Sequence, residues 1–463
     1  MTELLHLPWH EAREQASSRE LVEASIAAID TLNPRLNAFL HVGRDAGEGM
    51  PVAVKDNIVT TGMPTTCASR ILGRFLSPFD ATAVARLRAG SCSIVGKTNL
   101  DEFAMGSSTE HSAFGPARNP WDTTRVPGGS SGGSAVAVAA RMVPAALGSE
   151  TGGSVRQPAA LCGVVGLKPT YGRVSRYGLV AFGSSVDQIG IVTKTVRECA
   201  EIFGLIAGHD PLDSTSSMNP VDDYAADLES GVRGLRFGVV REAIDKLEGE
   251  VRANFEDALR VLRAGGAIVD EVSVPSIGYA IAIYYIVANA EASANLSRFD
   301  GIRYGRRSER AKTLREVYFE SRGEGFGDEV KRRIMLGTFA LSSGYYDAYY
   351  GRAQAVRAKL RADFDVAFER FDYLLTPTTP EPAFPIGAKT DDPLSMYLSD
   401  IFTAPANLVG IPAIAVPSGF SRARLPLSLQ IMAPHFAERA LFRAAGFFEH
   451  ETGYWRERPP VCA

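Results

Sequence analysis

The 463-residue chain has few of the residues that build disulfide frameworks or zinc sites. Its five cysteines are an odd number, and no two of them stand in a C-x-x-C spacing. This pattern argues against both kinds of site and is typical of a protein from a reducing compartment. We therefore expect a cytoplasmic protein in which this chain carries no metal and no other cofactor.

The chain also lacks long apolar runs and an excess of basic residues. No stretch approaches the roughly 18 apolar residues of a membrane helix, and the first residues lack the apolar core of a signal peptide. The formal net charge is −4, which argues against a broad face that grips a nucleic-acid backbone. We expect no membrane contact, and any nucleic acid is expected on a partner subunit.

Short apolar strands alternate with amphipathic helices along most of the chain. A capping-box spacing at Ser17 starts a predicted helix that ends at Asn33-Pro34. A polar loop is predicted over 41–49, and the apolar run 51–54 reads as a buried strand that leads to Lys55. The alternation favours an α/β fold with a central mixed, largely parallel sheet covered by helices on both faces.

Two segments rich in glycine and serine, 127–134 and 148–154, stand directly beside apolar helix and strand patterns. A flexible linker is one interpretation, but linkers join domains, whereas these segments interrupt what reads as one core. Glycines without a Cβ let several backbone N–H groups converge on one oxygen, as an oxyanion hole requires. The expected donors and the serine nucleophile that follows them are Thr151, Gly152, Gly153 and Ser154.

A serine nucleophile needs a base, and histidine is scarce in this chain. None of its seven histidines stands in a triad-like setting, and the G-x-S-x-G elbow is missing. Lysine is the alternative, because burial lowers the pKa of an amine and makes its neutral form available. Lys55, at the end of the predicted strand, is the candidate base; the competing interpretation is a solvated or ion-paired lysine.

The segment 90–98 resembles a phosphate-binding P-loop, but two features argue against one. Five residues rather than four separate its glycines, and its apolar residues directly precede Gly96-Lys97. The predicted strand therefore occupies the place where a phosphate loop should be, and we reject ATP binding at this segment.

Three segments together resemble the amidase signature family in order and spacing. They are Lys55-Asp56-Asn57, 127–134 and Thr151-Gly152-Gly153-Ser154-Val155-Arg156. The resemblance implies one amidase-signature domain over 1–463. Its catalytic core would span 45–200, and a helical substrate-pocket region would lie at about 275–360.

The resemblance implies a Ser–Ser–Lys triad. Ser154 would attack the amide carbonyl, and Ser130, which sits on a cis peptide in the family, would relay a proton between Ser154 and Lys55. Two departures from the family stand near these residues: Glu150 replaces the usual aspartate, and the segment before Lys55 is short. Both leave the implied triad intact.

A narrower resemblance is to the glutaminase A subunits of tRNA-dependent amidotransferases. It rests on several segments, including 96–110, 171–179 and 329–337. It implies that the chain releases ammonia from glutamine. A transamidase and kinase partner subunit, with ATP and Mg, would use that ammonia to amidate glutamate or aspartate on charged tRNA. A small third subunit would wrap the glutaminase.

Free glutamine carries an α-carboxylate and an α-ammonium, so a selective pocket needs one cation and one anion. Arg333 could hold the carboxylate bidentately and Asp400 the ammonium. Both match glutamine-binding positions of the subfamily, and Tyr284 resembles a third pocket residue. The competing interpretations place Arg333 on a solvated face beside Arg332, and Asp400 at a helix N-terminus. A stand-alone amidase acting on small amides is the alternative function, and a non-catalytic scaffold is a third.

Overall fold

Eleven strands pair into one sheet in the computed structural model, which describes residues 2–44, 47–73, 75–245, 247 and 249–462. Their order across the sheet is β1-β3-β2-β4-β6-β5-β10-β11-β9-β7-β8. The strands are β1 (Phe39–Val42), β2 (Met50–Lys55), β3 (Cys92–Thr98), β4 (Ala145–Glu150), β5 (Val165–Lys168), β6 (Gln188–Thr193), β7 (Arg236–Val240), β8 (Ile268–Val272), β9 (Tyr373–Pro377), β10 (Ala413–Phe420) and β11 (Pro426–Met432).

Helices fill most of the connections between these strands, and the longest insertion, between β8 and β9, is mainly helical. The helices are α1 (Trp9–Gln15), α2 (Ser18–Leu36), α3 (Thr82–Ala89), α4 (Gly132–Ala139), α5 (Arg156–Cys162), α6 (Val196–Ile206), α7 (Arg241–Ile244), α8 (Gly249–Ala264), α9 (Ala280–Asn295), α10 (Leu314–Gly325), α11 (Asp328–Leu341), α12 (Arg352–Arg370), α13 (Pro393–Tyr397), α14 (Ala404–Val409) and α15 (Glu438–Thr452).

The sheet is covered on both faces, because neighbouring residues of one strand enter different apolar cores. Val52 and Val54 of β2 pack in a core with residues of α3, α6 and α15. Ala53, between them, packs in another core with residues of α2 and α4. The α/β class and the mixed, helix-covered sheet are therefore confirmed.

The prediction that the sheet is largely parallel is wrong. Six of the ten strand pairings are antiparallel, and the parallel ones are β2 with β3, β2 with β4, β7 with β8, and β7 with β9. Continuous apolar runs are typical of parallel strands because such strands are buried on both faces. Here the antiparallel strands other than β1 are buried almost throughout too, so their sequences look the same.

Two local predictions also need correction. The first long helix continues through Pro34 and ends at Leu36, with Asn37 in the left-handed region. Pro34 lies in the last turn, where it costs the helix only one backbone hydrogen bond. The Asn33 side chain bonds the N–H and the carbonyl of Phe39, just after the helix. The predicted loop 41–49 begins later than expected, because β1 extends to Val42; residues 45 and 46 of that loop lie outside the described residues.

Among the described residues, no helix combines the length and the apolar character that a membrane crossing requires.

Candidate active site

The parallel pairing of β2 with β4 places the two chemistry-bearing segments at one edge of the sheet. Val54 of β2 stands opposite Leu147 of β4, so both strands end at the same side, β2 at Lys55 and β4 at Glu150. The end of β4 lies beside the Lys55 amine, which donates a hydrogen bond to the Ser149 carbonyl at 3.2 Å.

The Lys55 amine binds two serines of the first glycine–serine segment. Its Nζ lies 2.7 Å from Ser130 Oγ and 2.8 Å from Ser131 Oγ. The Gly129–Ser130 peptide bond is cis, as the family resemblance implies. The structure therefore brings Lys55 and Ser130 into direct contact, and it adds Ser131, which the sequence reasoning missed.

Burial changes the acidity of the lysine. Lys55 is fully buried, and burial lowers its pKa to about 7, although the negative charges of Asp101 and Glu150 act in the opposite direction. A large share of the amine is neutral at such a pKa near neutral pH, so it can accept a proton from a hydroxyl. The solvated-lysine interpretation is thereby excluded.

The loop that carries Ser154 is held from both sides. The Ser131 N–H donates to the Ser154 carbonyl at 3.0 Å, which ties the two glycine–serine segments together. On the other side, one Glu150 carboxylate oxygen accepts the N–H groups of Val155 and Arg156, each at 3.0 Å. The glutamate that departs from the family pattern thus closes the loop that carries Ser154 and forms a buried ion pair with Arg156.

The same loop presents unused backbone donors. Within the described residues, the N–H groups of Gly152, Gly153 and Ser154 have no hydrogen-bond acceptor. A Cβ on Gly152 would lie 2.5 Å from the Tyr284 ring, and one on Gly153 would lie 2.2 Å from Thr403 Oγ1, so a side chain at either position requires a shift. The Thr151 hydroxyl donates to Asp187 at 2.7 Å. This arrangement suits an oxyanion hole.

The three predicted pocket residues lie together beside this loop. Tyr284 on α9, Arg333 on α11 and Asp400 are all buried, with exposed fractions of 4%, 2% and 5%. The Tyr284 ring packs on Gly152 and the Asp400 carboxylate on Gly153. Arg333 lies close enough to influence the pKa of both Tyr284 and Asp400. The structure therefore gathers a cation, an anion and a phenol, and the last two touch the glycines that precede Ser154.

Asp400 offers one carboxylate oxygen to a ligand. Its Oδ2 accepts a hydrogen bond from Ser107 Oγ at 2.5 Å, whereas its buried Oδ1 has no partner among the described residues. Burial raises the pKa of Asp400 to about 7. A bound ammonium would favour the ionised carboxylate and complete its contacts. Asp400 ends a short 3-10 turn, and the N-cap of the next helix is Thr403, which argues against the helix-terminus interpretation.

Arg333 is buried, whereas its neighbour Arg332 is half exposed, so the solvated-face interpretation fails for Arg333. Its guanidinium lies between 5.2 and 5.7 Å from the centres of three aromatic rings. Those rings belong to Phe182, Tyr285 and Tyr397. Burial opposes the charge, but the paired Glu329 carboxylate favours it, and the pKa of Arg333 is raised.

Asp101 is a further site residue that sequence reasoning did not single out. Its Oδ2 accepts the Thr109 N–H at 2.8 Å, and a Cβ on Gly129 would lie 2.1 Å from the same oxygen. Asp101 thus shapes the turn that presents Ser130. The sequence signal that could have identified Asp101 is its position within the segment 96–110, which resembles the glutaminase subunits.

The rejected P-loop lysine has a structural setting of its own. Lys97 is buried within β3, and its amine lies 3.0 Å from Asp56 Oδ1 and 2.9 Å from Thr65 Oγ1. The amine therefore forms a buried ion pair with Asp56 and does not face a phosphate-binding loop.

The described residues contain no cluster of three or more histidine, cysteine or acidic side chains that could hold a metal ion.

The comparisons with known proteins agree with the geometry of the site. The family model described as Amidase matches residues 45–442. The A subunit of glutamyl-tRNA(Gln) amidotransferase from Shouchella clausii is 54% identical over 469 residues, covering 97% of this chain and 97% of that protein. The corresponding protein of Geobacillus kaustophilus is 53% identical, with 96% of each chain covered.

Solved structures give two kinds of match. The crystal structure of the A subunit of glutamyl-tRNA(Gln) amidotransferase from Thermotoga maritima has a TM-score of 0.84 at 48% identity and covers 100% of this chain and 97% of that one. The 6-aminohexanoate cyclic dimer hydrolase complexed with substrate has a TM-score of 0.86 at 27% identity, with 99% and 100% of the chains covered.

Proposed function

This chain belongs to the amidase family, and from that premise we propose that it is the glutaminase subunit of a tRNA-dependent amidotransferase. One observation carries the substrate: a buried anion, Asp400, packs on Gly153 of the Ser154 loop, and a buried cation, Arg333, lies close enough to act on its charge. Such a pair fits the α-carboxylate and α-ammonium of free glutamine. The high identity to amidotransferase A subunits over nearly the whole chain supports the same conclusion.

The reaction begins with attack of Ser154 Oγ on the side-chain amide carbon of glutamine. Ser130 takes the proton of Ser154 and passes its own to the neutral Lys55 amine, with which it is hydrogen-bonded. The carbonyl oxygen becomes an oxyanion, which the N–H groups after Glu150 bind. These donors are worth most when the negative charge has formed, so they stabilise the transition state more than the bound substrate.

Collapse of the tetrahedral intermediate breaks the C–N bond. Lys55 returns its proton through Ser130 to the leaving nitrogen, so ammonia departs and a glutamyl ester remains on Ser154. Water then attacks this ester, the proton again passes to Lys55, and glutamate leaves while Ser154 recovers its hydrogen. Lys55 thus acts as base and then as acid in each half, which suits a group with a pKa of about 7.

The wider assembly is part of the proposal. The amidotransferase is a cytoplasmic heterotrimer that serves protein biosynthesis. A transamidase and kinase subunit binds ATP, Mg and the charged tRNA and consumes the ammonia, and a small third subunit wraps this chain. The relatives' names support a multi-subunit enzyme, because each of them describes one subunit.

Ammonia release tests the proposal. The purified chain, with and without candidate partner subunits, is given L-glutamine and a panel of amides that lack the α-carboxylate or the α-ammonium. We expect selective release from glutamine that rises when partners, ATP and charged tRNA are added. Fast partner-free turnover of simple amides, with glutamine ignored, would instead make the chain a stand-alone amidase. The structural likeness to the 6-aminohexanoate cyclic dimer hydrolase is the observation that favours this alternative.

A further inference from the structure

Glu329 lies directly behind the pocket arginine, one helical turn earlier on α11. It is buried, and its Oε1 accepts the Nε–H of Arg333 at 2.7 Å. Among the described residues, Glu329 is the one carboxylate paired with Arg333. The pKa of Glu329 is lowered: burial opposes ionisation, but Arg333 outweighs it. An ionised acid therefore stands on the side of the guanidinium that carries Nε.

This contact selects the edge that the guanidinium offers to a ligand. A guanidinium can bind a carboxylate through two pairs of N–H groups, either Nε with one Nη or both Nη together. Glu329 occupies Nε, so the pair of terminal Nη groups is the edge left for bidentate binding. Without Glu329 the side chain could turn and present the other edge, because arginine has several rotatable bonds.

Other contacts hold Glu329 itself in place. The Tyr397 hydroxyl donates to the same Oε1 at 3.1 Å, and Arg332 pairs with Oε2 from the solvent side. The Tyr397 ring also stacks on Tyr285, with centroids 3.8 Å apart. Both rings lie against the Arg333 guanidinium and fix its plane. The Glu329 carboxylate fixes the direction in which the guanidinium points.

We propose that Glu329 is a positioning and specificity-determining residue for glutamine. It touches no reacting atom and acts through Arg333, whose terminal edge it aims at the substrate α-carboxylate. The inference rests on the proposed function, because it takes free glutamine as the substrate. Its consequence is specific: losing Glu329 should impair substrates that carry the α-carboxylate and spare those that lack it.

Glu329→Gln tests this, because the amide keeps the size and an acceptor oxygen but loses the charge. In the chain purified with its partner subunits, we expect KM for glutamine to rise at least about tenfold and kcat to stay within about threefold. For an amide without the α-carboxylate, kcat/KM should fall by less than about threefold, because only the carboxylate contact is disturbed.

Asp328→Asn is the matched control. It removes one negative charge from the neighbouring position of α11, where the side chain is 97% exposed and 3.7 Å from Lys331. It should keep the wild-type KM. Tyr397→Phe is a second, milder variant, since it removes one hydrogen bond to Glu329 and leaves the aromatic ring; KM for glutamine should rise about threefold.

Two results would overturn the inference. One is a folded Glu329→Gln enzyme whose KM for glutamine stays within about twofold of wild type; the other is an equal loss with both substrates, which a merely structural role would give. In an Arg333→Lys background, Glu329→Gln should add little, and full additivity would also contradict the proposal. A wild-type complex that releases no ammonia from glutamine would remove the proposed function and this inference together, whereas an active wild type with an unaffected variant removes the inference alone.

Discussion

The pH dependence of the enzyme should differ between glutamine and a neutral amide. Burial lowers the pKa of Lys55 to about 7, and burial raises the pKa of Asp400 to about 7. Lys55 must be neutral to accept a proton, and Asp400 must be ionised to bind an ammonium. The neutral amine of Lys55 and the ionised carboxylate of Asp400 therefore both appear as pH rises through about 7.

The size of the effect follows from the number of protons that must leave. For a neutral amide, Lys55 alone matters, so log(kcat/KM) should rise with a slope of about 1 per pH unit below pH 7 and level off above it. For glutamine, Asp400 must also lose its proton, so the slope should approach about 2. At pH 6 about one tenth of the Lys55 amine is neutral, and at pH 8 about nine tenths.

Ammonia release measured from pH 5.5 to 9 on both substrates gives the two profiles. Asp400→Asn is the matching variant, because it removes the second titrating group; its glutamine profile should fall to the slope of the neutral amide, at a raised KM. A flat profile for the neutral amide across this range would refute the base role of Lys55. Identical slopes for the two substrates in the wild-type enzyme would refute the ammonium-binding role of Asp400.

Two substitutions test the remaining parts of the site. Arg333→Ala should raise KM for glutamine about 10- to 100-fold, since a charge-assisted hydrogen bond contributes about 1.5–3 kcal/mol, while kcat/KM for a neutral amide changes much less; equal losses would contradict the clamp. Gly153→Ala should lower kcat about 10²–10³-fold, the typical effect of losing one oxyanion donor, because its Cβ would lie 2.2 Å from Thr403 Oγ1 and displace the loop. Gly204→Ala, where an added Cβ meets nothing within 4 Å, should keep wild-type kinetics.

Local sequence signals predicted the elements that position Lys55. The apolar run before Lys55 became β2, which is buried along its whole length, and the capping box at Ser17 starts α2 as expected. Such features depend on neighbours in the sequence, on spacing and on the chemistry of single residues. The family resemblance, rather than any local sequence pattern, predicted that Arg333, Asp400 and Tyr284 lie in one pocket.

Features that depend on contacts between distant segments could not be predicted from local sequence signals. Strand direction was mispredicted because burial on both faces hides the difference between parallel and antiparallel neighbours. Strand β4, buried along its whole length, lay unnoticed in a stretch rich in alanine, glycine and serine, because small residues give no strong strand signal. The contacts of Ser131 with Lys55, and of Glu329 with Tyr397, join residues 76 and 68 positions apart.

The nucleophile is tested most directly by trapping the covalent intermediate. The complex is mixed with L-glutamine, quenched with acid, digested and examined by mass spectrometry. We expect a glutamyl ester on the peptide that contains Ser154, and we expect Ser154→Ala to lose both this adduct and ammonia release while remaining folded. An adduct on another residue, or a Ser154→Ala enzyme with activity within about tenfold of wild type, would contradict the Ser–Ser–Lys account.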